Sequence, residues 1–142
     1  MKIYNTEQIR NIALVSHGGA GKTTLTEAML FNTGVITRMG KVEDGNTVSD
    51  YDPEEIKRQI SINLALVPTE WKNCKINVID TPGFADFSSE VRSAIRVADG
   101  VAVLISAPDG VEVLTEVYWK LADKRNLPRV LFVNKMDREN AN

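Results

Sequence analysis

Ser16-His17-Gly18-Gly19-Ala20-Gly21-Lys22-Thr23 separates two segments of different period. Upstream, residues 9–16 (Ile-Arg-Asn-Ile-Ala-Leu-Val-Ser) form a mostly apolar run that ends on glycines, as a buried strand does where it feeds a loop. Downstream of Thr23 the period becomes helical: Leu25, Ala28 and Met29 share one face, and Gly34 offers a stop. A glycine loop between a strand and a helix is the setting of a P-loop, here with serine in place of the opening glycine. The glycines let successive backbone N–H groups turn inward around phosphates, and the following helix directs its positive end at the same charge. Lys22 is expected to reach the β- and γ-phosphates and the Thr23 hydroxyl to bind magnesium. Taken alone, the motif does not separate ATP from GTP.

Beyond the loop, residues 35–60 are polar, contain Gly40, Gly45 and Pro53, and keep no period, which reads as a long, mobile surface loop. Strands are expected at about 62–70 and 74–80, the second ending in Asp80-Thr81-Pro82-Gly83. Val91, Ala94, Ile95 and Ala98 mark a helix face, 101–106 another strand, and Leu114, Val117, Tyr118 and Leu121 a second helix face. A fifth strand at 130–133 leads into Asn134-Lys135-Met136-Asp137. Alternating strands and helices predict an α/β fold: a mostly parallel, doubly wound sheet of P-loop NTPase type with helices on both faces, its ligand at the carboxyl ends of the strands. At 142 residues the chain suits one domain, 1–142. It stops directly after the fifth strand, so the domain is expected to be truncated there, with an exposed sheet edge.

Each of the two later motifs adds a distinct chemistry. A carboxylate at Asp80 can hold a magnesium-bound water, and the Gly83 N–H can approach a γ-phosphate with no side chain in the way. In isolation Asp-Thr-Pro-Gly is a tight turn; its value comes from following a P-loop. The Asp137 carboxylate can accept hydrogen bonds from guanine N1–H and its 2-amino group, neither of which adenine offers. The stem of Lys135 would lie over the base, and Asn134 would tie this loop to the P-loop. The ligand expected is therefore GTP or GDP with Mg2+.

Bulk properties exclude other classes. A formal net charge of −2 argues against nucleic-acid binding through general positive charge, and no direct DNA binding is expected. The single cysteine, Cys74, excludes an intrachain disulfide and reads as a buried thiol. No apolar run reaches membrane-spanning length and residues 1–8 lack a secretory pattern, so a cytoplasmic protein without a membrane partner is expected. Trp71 and Trp119 read as packing residues.

With these motifs in hand, the sequence resembles the N-terminal part of elongation factor G and its relatives among the translational GTPases, from about Ile9 to Asp137. His17 before the glycines, the Thr23-Thr24 pair, Arg58-Gln59-Ile60-Ser61-Ile62 in place of Arg-Gly-Ile-Thr-Ile, and Asp86-Phe87 carry the likeness. It implies that residues 35–60 are a first switch, whose neighbour Ser61 meets magnesium only when the γ-phosphate is present, and that 80–98 are a second. It also implies a ribosome partner that accelerates GTP hydrolysis, and translocation or a related ribosomal step as the output.

Three positions depart from that pattern: Phe84 stands where the family has a water-orienting histidine, Gly19 replaces an aspartate, and Gly18 replaces an apolar gate residue. Slow hydrolysis is expected, with Lys22, the Gly83 N–H and Ser61 as the remaining catalytic groups. The alternative is a GTP-operated ribosome-binding or protection switch with little hydrolysis of its own. Repacking of Phe84 into space left at Gly18 is a third, purely structural account. A P-loop ATPase or kinase would leave Asn134 and Asp137 without a purpose.

Overall fold

The computed structural model describes residues 2–141. After a 3-10 turn at Thr6–Gln8, the chain forms β1 (Ile9–Val15), α1 (Lys22–Asn32), α2 (Pro53–Arg58), β2 (Ala65–Trp71) and β3 (Cys74–Asp80). A second 3-10 turn at Ala85–Phe87 leads into α3 (Ser88–Val97), followed by β4 (Gly100–Ser106), α4 (Val113–Lys124) and β5 (Arg129–Asn134). The five strands form one sheet in the order β2-β3-β1-β4-β5. β1 runs parallel to both β3 and β4, and β5 runs parallel to β4; β2 alone is antiparallel, against β3.

Strand alternation explains how one sheet supports two cores, because successive side chains leave opposite faces. Ala13 and Val15 of β1 and Val101 and Val103 of β4 pack under Val91, Ala94 and Ile95 of α3 and Tyr118 and Ala122 of α4. Leu14, Val78 and Leu104 face the other way, against Leu30, Leu25 and Met29 of α1. β1 is thus covered on both sides, as a central parallel strand must be. The chain leaves β1 between β3 and β4, at a switch point where the crevice of such a sheet opens. At the other edge, Val130, Leu131, Phe132 and Val133 of β5 are all exposed.

Several expectations need correction. Residues 35–60 are not a free loop: they contain α2, and Thr47, Ser49, Asp50 and Glu55 are buried. The helix has a local cause. Asp52 caps it, its side chain accepting a hydrogen bond from Glu54 N–H at 2.8 Å, the Glu55 carboxylate in turn accepts from Asp52 N–H at 3.1 Å, and Pro53 opens the first turn. On α1 the deepest residues are Thr26, Glu27 and Leu30, with Leu25, Ala28 and Met29 half-buried. On α4 the inward face holds Tyr118 and Ala122, and Val117 is exposed. Trp71 is 52% exposed and Trp119 37% exposed. The Trp119 ring instead meets the Arg129 guanidinium, 4.4 Å from its centroid, a cation–π contact. Cys74 is only partly buried.

Candidate nucleotide-binding site

The P-loop crosses from the carboxyl end of β1 to the first turn of α1, and two of its glycines take backbone angles that other residues resist: φ is +77° at Gly19 and +97° at Gly21. Gly21 has a second reason to lack a side chain, since a Cβ there would fall 2.3 Å from the Asn134 amide nitrogen. Lys22 folds back along the loop, its Nζ donating to Ser16 Oγ at 2.9 Å and to the His17 carbonyl at 3.1 Å. Burial pushes the Lys22 ammonium down to about 8, against the pull of Asp80 and Asp50. An anion placed against it would meet a desolvated, strongly interacting cation. The His17 imidazole turns away: its Nδ1 is 3.5 Å from Glu112 Oε2 and makes no hydrogen bond.

Beside Lys22 lies a group of oxygen donors drawn from three parts of the chain. Thr23 Oγ1 and Ser61 Oγ are 3.2 Å apart. Asp80, at the end of β3, is buried; Ser49 Oγ donates to its Oδ2 at 2.8 Å, and its Oδ1 has no partner. Burial lifts the Asp80 carboxyl to about 6, although Ser49 and Lys22 oppose the shift. Asp50 is also buried, and burial raises its carboxyl despite the Ser61 and Thr23 hydroxyls beside it. Hydroxyls, two carboxylates and an orphaned carboxylate oxygen suit a hard divalent cation of magnesium type. No group of three or more His, Cys, Asp or Glu stands at ligating range among the described residues, so such an ion would draw further ligands from phosphate and water. Ser49 and Asp50 are site residues that the sequence does not announce: in an aperiodic polar segment, nothing local distinguishes them from solvated surface.

Thr81 Oγ1 donates to the Leu14 carbonyl at 2.6 Å, fixing the end of β3 to β1. Pro82 and Gly83 are buried behind the loop, and a Cβ on Gly83 would collide with Gly18 Cα at 2.6 Å and with Lys22 Nζ at 2.7 Å. The Phe84 ring lies over Gly18: a Cβ added there would sit 3.3 Å from two ring carbons. Phe84 is nonetheless 42% exposed, so it forms one lip of the crevice.

The remaining motif closes the opposite end. Asn134 donates from its side-chain nitrogen to the Ala20 carbonyl at 2.9 Å, joining the end of β5 to the P-loop. Lys135 takes a left-handed conformation, φ +60°, so the chain turns sharply and both Lys135 and Asp137 line the same crevice as Gly18, Gly19, Lys22 and Thr23. Thr24, Ser61, Gly83 and Phe84 line it too, as do Gln59 and Arg138, which the sequence does not single out. Ser16, Ala20, Asp80 and Thr81 stand behind this lining, buried.

Against known proteins, residues 7–142 match the model of the elongation factor Tu GTP binding domain. The chain is 49% identical over 130 residues to elongation factor G 2 of Borreliella burgdorferi, covering 92% of this chain and 19% of that protein. It is 51% identical over 130 residues to the mitochondrial ribosome-releasing factor 2 of Schizosaccharomyces pombe, covering 92% of this chain and 16% of that protein. A crystal structure from Thermus thermophilus superposes with a TM-score of 0.89 at 42% identity, covering 92% of this chain and 20% of that one. The chain therefore spans about a fifth or less of the length of these relatives. With a P-loop, an Asp-Thr-Pro-Gly turn and an Asn-Lys-x-Asp loop converging on one crevice, and with a family match over nearly every residue, the chain belongs to the elongation factor Tu GTP-binding-domain family and resembles elongation factor G.

Proposed function

We propose that residues 1–142 are the GTP-binding domain of an elongation factor G-like protein that hydrolyses GTP to GDP and phosphate on the ribosome, in translocation or a related step. The observation that carries this reading is the Asn134–Ala20 hydrogen bond, which holds the guanine-type loop beside the phosphate-type loop in one crevice. Lys22 and the P-loop amides would take the polyphosphate, and Asp137 the N1–H and 2-amino group of guanine, with the Lys135 stem over the ring. Thr23, Ser61 and Asp80 would hold Mg2+, with Asp50 beside them. When bound, the ion would neutralise charge on the β- and γ-phosphate oxygens.

In the hydrolytic step a water attacks the γ-phosphorus and GDP leaves. Lys22 and the Gly83 N–H would stabilise the charge on the transferred group. Phe84 has no side-chain atom that can accept or donate a hydrogen bond to that water, so turnover is expected to be slow. The same residue favours a second reading, a GTP-operated ribosome-binding switch with negligible hydrolysis. Single-turnover phosphate release, with and without ribosomes, separates the two. Phe84→His is expected to raise the rate by about 10²-fold if only the positioned hydrogen-bonding group is lacking. An unchanged rate supports the switch.

No helix among the described residues is long and apolar enough to cross a membrane. The proposed setting is the cytoplasm, with the ribosome as partner through the whole protein and without membrane or direct DNA contact. Calorimetry with Mg2+ and GTP, GDP or ATP tests the nucleotide assignment; equal affinity for ATP and GTP would overturn it.

A further inference from the structure

Residues 40–50 have no regular structure, yet one buried side chain fastens them at two points. Glu27, on α1 and 1% exposed, accepts the Gly40 N–H through Oε2 at 2.7 Å and the Val48 N–H through Oε1 at 2.6 Å. No Lys, Arg or His lies within ion-pair distance of it among the described residues. A carboxylate taken out of water in this way is tolerable only because both oxygens are satisfied, and charge-assisted bonds to backbone amides are among the stronger ones. The intervening loop is closed on itself: Lys41 N–H donates to Asn46 Oδ1 at 2.7 Å, and Gly40 approaches Asn46 so closely that a Cβ would fall 2.4 Å from its carbonyl oxygen. The two amides are therefore presented to Glu27 as a pair.

Immediately past Val48 the chain reaches the cation end of the crevice. Ser49 donates to Asp80 at 2.8 Å, and Asp50 lies beside Thr23 and Ser61. Glu27 itself is one helical turn beyond Thr23, on the same helix that begins at the P-loop. The second half of the segment has its own fastener. Glu55, 2% exposed, accepts the Ile62 and Asn63 N–H groups through Oε1, each at 2.9 Å, and so holds the backbone just after Ser61. Two buried carboxylates divide the work, one on each side of the hydroxyl and carboxylate group beside Lys22.

We infer that Glu27 is a positioning residue: it clasps the first switch to α1 at Gly40 and Val48, and through Ser49 and Asp50 it sets how well the nucleotide site holds its divalent cation. The functional half of this inference rests on the nucleotide-binding reading above. The clasp itself does not.

The test uses the full chain and two readouts. Glu27→Gln keeps the shape but turns an N–H2 toward one of the two amides. Hydrogen exchange at Gly40 and Val48 is expected to quicken by roughly ten-fold or more, with Ile62 and Asn63 unaffected. Glu55→Gln should give the reverse pattern. The Mg2+ concentration giving half-maximal binding of a non-hydrolysable GTP analogue should rise about five-fold or more in Glu27→Gln, while binding in chelator stays as in the unaltered chain. A role in folding alone would lower affinity equally with and without Mg2+. Gly40→Ala, which pries the same loop open without touching α1, should reproduce the Mg2+ effect even if Glu27→Gln folds poorly. Unchanged exchange at Gly40 and Val48 would refute the clasp, and faster exchange with an unchanged Mg2+ requirement would refute its link to the cation. An unaltered chain that bound no nucleotide would overturn the proposed function, while the exchange result would still decide the clasp.

Discussion

At one end of the crevice Ser16, Lys22, Thr23, Asp80 and Thr81 are buried, and at the other Asp137 and Arg138 are exposed at the tip of an edge strand whose apolar side chains are exposed as well. The Lys22 end, the proposed phosphate end, is assembled from β1, α1, β3 and the segment 47–61, the proposed switch segment, each packed against another. The base end hangs from β5 and is tied back chiefly by Asn134. Charges in the first region act through a poorly polarisable interior and those in the second through water, so a unit charge counts for several times more at Lys22 than at Asp137. Affinity should therefore reside in the phosphate end, and the base end should supply choice among bases through hydrogen-bond pattern rather than through field strength.

The contrast can be broken most directly at Lys22. Lys22→Met should weaken GTP and GDP alike by about 10³-fold, the scale expected when one partner of a desolvated charge pair is truncated, as calorimetry in Mg2+ would register. A loss confined to GTP would show that the lysine serves only the γ-phosphate. Asp137→Asn should leave phosphate binding largely intact yet erase about 10²-fold or more of the preference for GTP over ATP in a competition titration, because the substituted amide presents a donor to guanine N1–H. If affinity collapses for every nucleotide instead, the base end is structural and the division of labour fails.

Next in size is the cost that the phosphate end imposes on the free chain. Asp80 has its folded-state carboxyl raised from 3.8 to about 6. A raised carboxyl favours folding below the unfolded value and loses that contribution as pH climbs through the folded one. Above pH 6 the chain carries a buried ionised group that Asp80→Asn lacks. Chemical denaturation at pH 7.5 without nucleotide should find Asp80→Asn more stable by about 2 kcal/mol, an advantage that vanishes between pH 6 and pH 4. The Mg2+ dependence of nucleotide binding should be lost at the same time. The smallest effect is expected for Asn134→Ala, which removes one side-chain hydrogen bond. GTP and GDP should bind about ten-fold more weakly, with the GTP-to-GDP ratio unchanged.

How much of this is legible in the residues depends on how local each cause is. The strand expected at 74–80 coincides with β3, since its alternation and its Asp-Thr-Pro-Gly ending are written in adjacent positions. The three loops and their order are equally plain, because glycine, lysine and carboxylate types are demanded at fixed spacings. The switch segment is where the reading fails. Its only regular element is signalled by Asp52-Pro53-Glu54-Glu55, a helix start that the surrounding aperiodic residues mask. Glu27 and Glu55 look like solvated helix positions in sequence. Glu27 is covered by backbone 13 and 21 residues further on, outside any helical window around it, whereas the partners of Glu55 lie within eight residues but on an aperiodic stretch whose return to the helix no period signals. The tryptophans mislead for the opposite reason: size suggests the interior, but both stand toward the sheet margins, one of them against a guanidinium.

The amide bridge from Asn134 to Ala20 works like the fixed jaw of a caliper. Gly21 lies directly beneath that amide, so the bridge sets the gap between the P-loop and the loop after β5. Under the proposed nucleotide assignment, a ligand would have to match that span to engage both jaws together. Guanosine lacking its phosphates, or a dinucleotide with a longer spacer, would grip only one.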